Sequence, residues 1–297
     1  MKIVIFGGAG FIGSALVKNL AEKGHSVACA DNLITGREEN IHGIPFYRTD
    51  ITKQADFEKI DFNPDLVISL AFPTSLCDRK PENQFEDVAS TGMLNVLEYT
   101  RKMCNRIIYG SSISVYGEAK DNPITESSAI RPVLIYGDNK FLGELYTRSY
   151  NEMHGTQYNI IRISDTFGER DLRKSAINNF IRAFLSGSEI TINGDGEQLR
   201  TYTYVGDMAE AIAMSTAKLK NEVYNIAAAE PVSINTLLKR LNSIFGEDRK
   251  AVYNTDHKDM RNYVFDNSKF INDFGKFERT GLDEGLRKTI EYLRSTL

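Results

Sequence analysis

Tyr136 and Lys140 stand four residues apart in IYGDNK, and in a helix positions i and i+4 share one face. A phenol and an ammonium held side by side are complementary for proton transfer. A free tyrosine ionises near pH ~10 and is a poor base at neutrality, but a neighbouring cation favours the phenolate and lowers that value. Ahead of them in the chain, RIIYGSSISVYG reads as a buried strand that delivers Ser111 and Ser112 to its carboxyl end. Ser112 can hydrogen-bond the same substrate oxygen and help relay its proton. YxxxK alone is a common accident of helical sequence, so its meaning depends on what surrounds it.

The surroundings begin with GGAGFIG, which places Gly7, Gly10 and Gly13 after the apolar run KIVIF and at the opening of a helix. Each glycine has its own reason there: a tight turn, close approach of the backbone to a pyrophosphate, and close packing of helix on strand. The next strand, SVACAD, ends at Asp31, about twenty residues on, where a carboxylate can accept the hydroxyls of an adenosine ribose. That carboxylate repels a 2′-phosphate, so the cofactor expected is NAD rather than NADP. Asp50, at the end of the third strand, has two readings, an adenine contact or a strand-end cap.

These motifs need a sheet to carry them, and the chain supplies one. KIVIF, SVACAD, IPFYRTD, LVISLA, RIIYGSS and YNIIRI alternate with helical patterns, the rhythm of a parallel sheet covered on both faces. The runs are nearly all apolar, as strands buried on both sides should be. The expected class is therefore α/β, a doubly wound Rossmann sheet over residues 1–163, with a smaller C-terminal α/β lobe over 164–297 for substrate. A segment at about 203–227, with the strand VYNIA, should return to the main sheet. EITINGDGEQLRTYTYV reads as two short strands around a Gly-Asp-Gly turn, and INTLLKRLNSIF and DEGLRKTIEYLRSTL as amphipathic helices.

Composition narrows the function further. A net charge of −4 offers no excess of cations for a nucleic-acid backbone, and no apolar run is long enough to cross a membrane. The N-terminal apolar run breaks at glycines, unlike a signal peptide, so a cytoplasmic location is expected. Cys29, Cys77 and Cys104 read as reduced structural thiols, and His25, His42, His154 and His257 lack metal-ligand spacing, so no metal is expected.

GGAGFIG, DNLITG, SSISVYG, YGDNK and GDGEQLRTYTYVGDMAEA together resemble the NAD-dependent nucleotide-sugar epimerase/dehydratase family, within the extended short-chain dehydrogenase/reductases. The similarity runs nearly end to end. It implies that Tyr136 takes the proton of a sugar hydroxyl while hydride passes to NAD⁺, giving a transient 4-keto sugar, with Lys140 holding the nicotinamide ribose and Ser112 sharing the substrate bond. It also implies that Gly7, Gly10, Phe11 and Ile12 line the pyrophosphate, Asp31 and Asn32 the adenosine ribose, Asp50 and Ile51 the adenine, and Leu70 and Ala71 the cofactor's other side. Arg200 matches the family's arginine for the substrate diphosphate. The family's helices corresponding to about 86–102 and 136–153 form a dimeric four-helix bundle, so a homodimer is implied.

Ile113 and Ser114 stand where the family's dehydratases carry an Asp-Glu pair, which disfavours dehydration. Oxidation and reduction at one carbon remains: a 4-epimerase first, with a 4-keto reductase or a 4-dehydrogenase as alternatives and a non-catalytic NAD sensor as the competing class. Three positions depart from the pattern. Asp165 stands where the family has Asn beside the substrate diphosphate, Asp256 where it has a second arginine, and Ala89 where it has Asn; Lys258 and Arg261 are possible compensating cations.

Overall fold

The computed structural model describes residues 1–74, 85–117, 120–256 and 262–296. Cys77, His257, Lys258 and Arg261 lie outside the described residues. From the N-terminus the chain forms β1 (Lys2–Phe6), α1 (Phe11–Glu22), β2 (Ser26–Asp31), β3 (Phe46–Arg48), α2 (Gln54–Phe57), β4 (Leu66–Ser69), α3 (Met93–Met103), β5 (Arg106–Ser112), α4 (Ile135–His154) and β6 (Gln157–Ile163). Beyond β6 come β7 (Asp165–Phe167), α5 (Ala176–Ser186), β8 (Ile190–Asn193), β9 (Leu199–Tyr204), α6 (Val205–Ser215) and β10 (Glu222–Ile226). The chain continues through β11 (Pro231–Ser233), α7 (Ile234–Phe245), β12 (Ala251–Asn254), α8 (Ser268–Phe274) and α9 (Leu282–Thr296).

Seven strands form a parallel sheet in the order β10-β6-β5-β4-β1-β2-β3. Alternate residues of β1 feed two different cores. Ile3 and Ile5 join Leu16, Leu20, Met208 and Ile212 on the face covered by α1 and α6, whereas Val4 and Phe6 join Met93, Val96 and Leu97 beneath α3. Both faces are dry, which is why the strand sequences are apolar without alternation. Connections run outward in opposite directions from β1, through β2 and β3 on one side and β4, β5 and β6 on the other. The crevice at that switch, outside the carboxyl ends of β1 and β4, is where such sheets bind ligands.

A third core gathers Phe167, Ile181, Ile192, Leu237, Leu241, Leu286 and Ile290 around two small sheets, β11-β9-β7 and β12-β8. The two strands expected around the Gly-Asp-Gly turn both form, but they do not pair with each other. β9 already has β7 on one edge and β11 on the other, so no edge is left for β8. β8 instead pairs in parallel with β12 and alternates, Ile190 and Ile192 inward and Thr191 and Asn193 outward. β10, although late in the sequence, pairs with β6 at the margin of the large sheet. Among the described residues no helix is long and apolar enough to cross a membrane.

Candidate active site

The carboxyl end of β1 turns through Gly7 at φ +82°, a value that a residue with a Cβ adopts only with strain, and a Cβ there would also lie 2.7 Å from the backbone nitrogen of Ala71. At Gly13 a Cβ would come within 2.0 Å of the Gly7 carbonyl oxygen, so α1 can sit this close to the loop only with glycine at that position. Gly10 is the N-cap of α1, without a side-chain cap and with no acidic residue in the first turn. The first-turn N–H groups therefore have no side-chain acceptor of their own, the condition under which a helix start holds an anion. Asp31 fixes the loop from the other side: its carboxylate accepts the N–H of Ala9 at 3.1 Å and of Leu33 at 2.8 Å. Burial pushes the Asp31 carboxyl up, and those two N–H bonds pull it down. Next to it, the Asn32 side-chain oxygen accepts from the Ile34 N–H at 3.0 Å.

β5 ends in two serines with different partners. Ser111 donates to Glu144 at 2.6 Å and is committed to the interior, while Ser112 accepts the Ser114 N–H and donates to the Ser114 hydroxyl, both at 3.1 Å. α4 is set against this turn by Gly137, where a Cβ would fall 2.6 Å from the Ser114 carbonyl oxygen. With α4 so close to the strand end, Tyr136 and Lys140 line the same cavity as Ser112. The Tyr136 ring meets the edge of Phe72 at 5.4 Å, and the buried Lys140 ammonium stands 4.9 Å from the Phe72 centroid and 6.0 Å from that of Tyr136. Lys140 also donates to the Gly110 carbonyl at 2.9 Å, which ties the helix to the strand that carries the serines.

Behind this trio lies a buried ion pair. Arg162 of β6 grips Glu144 of α4 through two bonds of 2.9 and 2.8 Å, and its third nitrogen donates to the Tyr116 hydroxyl at 2.7 Å. Tyr116 in turn donates to Asn225 at 2.6 Å, so β5, α4, β6 and β10 are joined by one polar network.

Every residue singled out for the catalytic, cofactor and substrate sites, from Gly7 to Arg200, lines one cavity of about 650 Å³. That is within the range of small-molecule sites. Asp50 lines it too, although one of its oxygens accepts the N–H and hydroxyl of Thr52 at 3.1 and 2.8 Å, the strand-end cap of its second reading. Ile51 is buried, its carbonyl held by Asn95 at 2.9 Å. Asp165 opens β7 and lines the cavity with Arg200 and Arg173; burial pushes its carboxyl up, the charges of those arginines pull it down, and nearby Asp171 pushes the same way as burial. Arg200 lies over the Tyr263 ring, 4.9 Å from its centroid. Asp256 is exposed beyond β12 and Ala89 is buried in the turn before α3, and neither lines the cavity.

The segment Glu169–Arg173 adds residues that the motifs did not single out. Arg173 is held to Asp171 by bonds of 2.8 and 2.9 Å and lies 5.3 Å from the Phe11 ring, and Arg170 reaches Ser14 on α1. The available signal was two arginines in GERDLR directly after a strand end.

The glycine cradle, the carboxylate beyond it and the uncapped helix start fit a dinucleotide. The family model for the NAD dependent epimerase/dehydratase family matches residues 3–227, and the chain belongs to that family. It is an NAD-dependent enzyme of this fold. It is 33% identical to the UDP-glucose 4-epimerase of Thermotoga maritima solved with UDP-glucose, over 100% of this chain and 99% of that one, with a TM-score of 0.92. The Thermus thermophilus UDP-glucose 4-epimerase solved with NAD is 28% identical over all of both chains, with a TM-score of 0.89. UDP-glucuronic acid decarboxylase 1 of Xenopus tropicalis is 28% identical over 100% of this chain and 73% of that protein.

Proposed function

We propose that the protein interconverts the C4 epimers of a nucleotide-activated sugar through a transient 4-keto intermediate. The observation that carries the reading is the convergence of Ser112, Tyr136 and Lys140 on the same cavity as the glycine cradle and Asp31. Bound NAD supplies a hydride acceptor that later gives the hydride back. Tyr136, favoured as phenolate by the ammonium on its own helix face, takes the proton of the C4 hydroxyl, and Ser112 donates a hydrogen bond to that oxygen. When the ketone has presented its other face, Tyr136 returns the proton. Lys140 holds the nicotinamide ribose, Asp31 and Asn32 the adenosine ribose, and Arg200 the substrate diphosphate. Ile113 and Ser114 carry no group able to eliminate water, so the ketone is reduced back to an alcohol and is not dehydrated.

Two further features belong to this reading. We place the reaction in the cytoplasm. Leu94 on α3 and Leu145 and Met153 on α4 are 37%, 44% and 63% exposed, and the last two lie on one face of their helix, which supports a homodimer joined through these helices. Sedimentation of a Leu145→Glu variant as a monomer is the matching observation.

The deciding experiment is incubation with a panel of nucleotide sugars, without added cofactor, followed by NMR. Interconversion of a C4 pair supports the reading. Activity only with a keto sugar and reduced cofactor assigns a reductase, net oxidation assigns a dehydrogenase, and loss of CO₂ from a UDP-uronic acid assigns a decarboxylase.

Asp165 gives this site a pH signature. A carboxylate in the same cavity as Arg200 offsets the charge that arginine offers to a diphosphate, and protonation removes the offset. Because burial raises the Asp165 pKa, the neutral form gains as pH falls toward that raised value, so KM should fall with it. Asp165→Asn should bind substrate about tenfold more tightly at mildly alkaline pH, the worth of one unfavourable charge at moderate range, and with a flatter pH profile. A KM in the variant that tracks the wild type across pH would sink this role.

A further inference from the structure

We propose that Arg170, supplied from the segment between β7 and α5, is the cation that pairs with the diphosphate of the bound cofactor. The glycine loop has no cation of its own: GGAGFIG is followed by SALV before the first lysine, Lys18, whose side chain is 75% exposed. An anion seated on the start of α1 thus has the helix dipole and whatever cation the rest of the molecule brings to it. Four cations line the cavity, and their positions divide the work. Lys140 is tied to Gly110 at the serine end, Arg200 lies over Tyr263, and Arg173 is committed to Asp171. Arg173 also comes near the first turn of α1, over the Phe11 ring, but Arg170 is the one whose guanidinium hydrogen-bonds into that turn and, among the described residues, holds no carboxylate.

That contact is built rather than incidental. Arg170 donates to the Ser14 hydroxyl at 3.3 Å, and this buried hydroxyl donates onward to the Phe11 carbonyl at 3.2 Å. The backbone of Arg170 is left-handed, φ +68°, a conformation a non-glycine residue adopts at a cost. Its acidic neighbours have other partners: Glu169 accepts the Tyr204 hydroxyl at 2.8 and 2.9 Å, and Asp171 holds Arg173. Among the described residues no carboxylate pairs with Arg170. The loop also leaves room above it, since a Cβ built on Gly10 meets only the Gly7 carbonyl, at 3.3 Å. An anionic group on that open side would be bracketed by helix N–H groups below and a guanidinium above, the geometry that favours charge-assisted bonds to phosphate.

The segment that carries Arg170 leads into α5, whose core residues belong to the C-terminal lobe. Cofactor hold then depends on a residue from outside the dinucleotide fold, and the diphosphate fastens one lobe to the other. This concerns NAD retention whatever the sugar, so its test is independent of the epimerase reading.

The test uses full-length protein carrying its NAD, with exchange against labelled NAD as the readout and ADP and adenosine as competitors. Arg170→Gln should exchange NAD at least tenfold faster, and ADP should lose at least tenfold of its potency as a competitor while adenosine, which has no phosphate, keeps its own. Arg170→Lys should fall between the two proteins. An exchange rate in Arg170→Gln within twofold of wild type would overturn the proposal. So would equal losses for ADP and adenosine, which would assign Arg170 to the shape of the segment instead of to the diphosphate.

Discussion

Tyr136→Phe is expected to lower kcat by about 10³-fold while NAD stays bound, because the phenol is the group assigned to move the substrate proton and the ring alone cannot do so. The structure makes the substitution a clean one. The Tyr136 ring packs on the edge of Phe72, an interaction phenylalanine keeps, and α4 is anchored independently through Lys140 to Gly110 and through Glu144 to Arg162. Turnover measured by NMR, with the NAD content of the same preparation, separates loss of chemistry from loss of cofactor. Retention of more than about a tenth of wild-type turnover would mean that another group takes the proton.

Glu144→Ala should be the most damaging change to stability, at about 3–5 kcal/mol, since it strands the Arg162 guanidinium in the interior without its carboxylate. Glu144 is 0% and Arg162 1% exposed, so water cannot take over the lost bonds. Ser111 loses its acceptor in the same step. The expected readout is a lower urea midpoint for unfolding, and Arg162→Met combined with Glu144→Leu should recover much of the loss by removing both charges together. A midpoint unchanged in Glu144→Ala would show that the pair contributes little to holding β5, α4 and β6 together.

Much of the site was legible because its spacing is local. The glycines of one loop, the carboxylate at the next strand end and the i, i+4 pair on one helix are fixed by short-range geometry, and the apolar strand runs announce a sheet covered on both faces. Asp165 was conspicuous in the sequence as a carboxylate expected beside a diphosphate; only the fold brings the arginines of β9 and of the segment after β7 into the same cavity. Arg170 and Arg173 were illegible for the same reason, since their partners Ser14 and Phe11 lie far away in the chain. The pairing of β8 depended on which edges β9 had left, a property of the assembled lobe and not of the Gly-Asp-Gly turn between them.

The placement of β10 has a practical consequence for anyone dividing the chain. Cutting after β6 would leave Asn159 to Ile163 as an open parallel edge, with the buried Ile160 and Ile161 beside unpaired backbone groups. An uncovered apolar edge of that kind templates pairing between copies. The N-terminal half expressed alone is therefore an aggregation hazard, and the shortest fragment that covers the β6 edge must continue through Ile226.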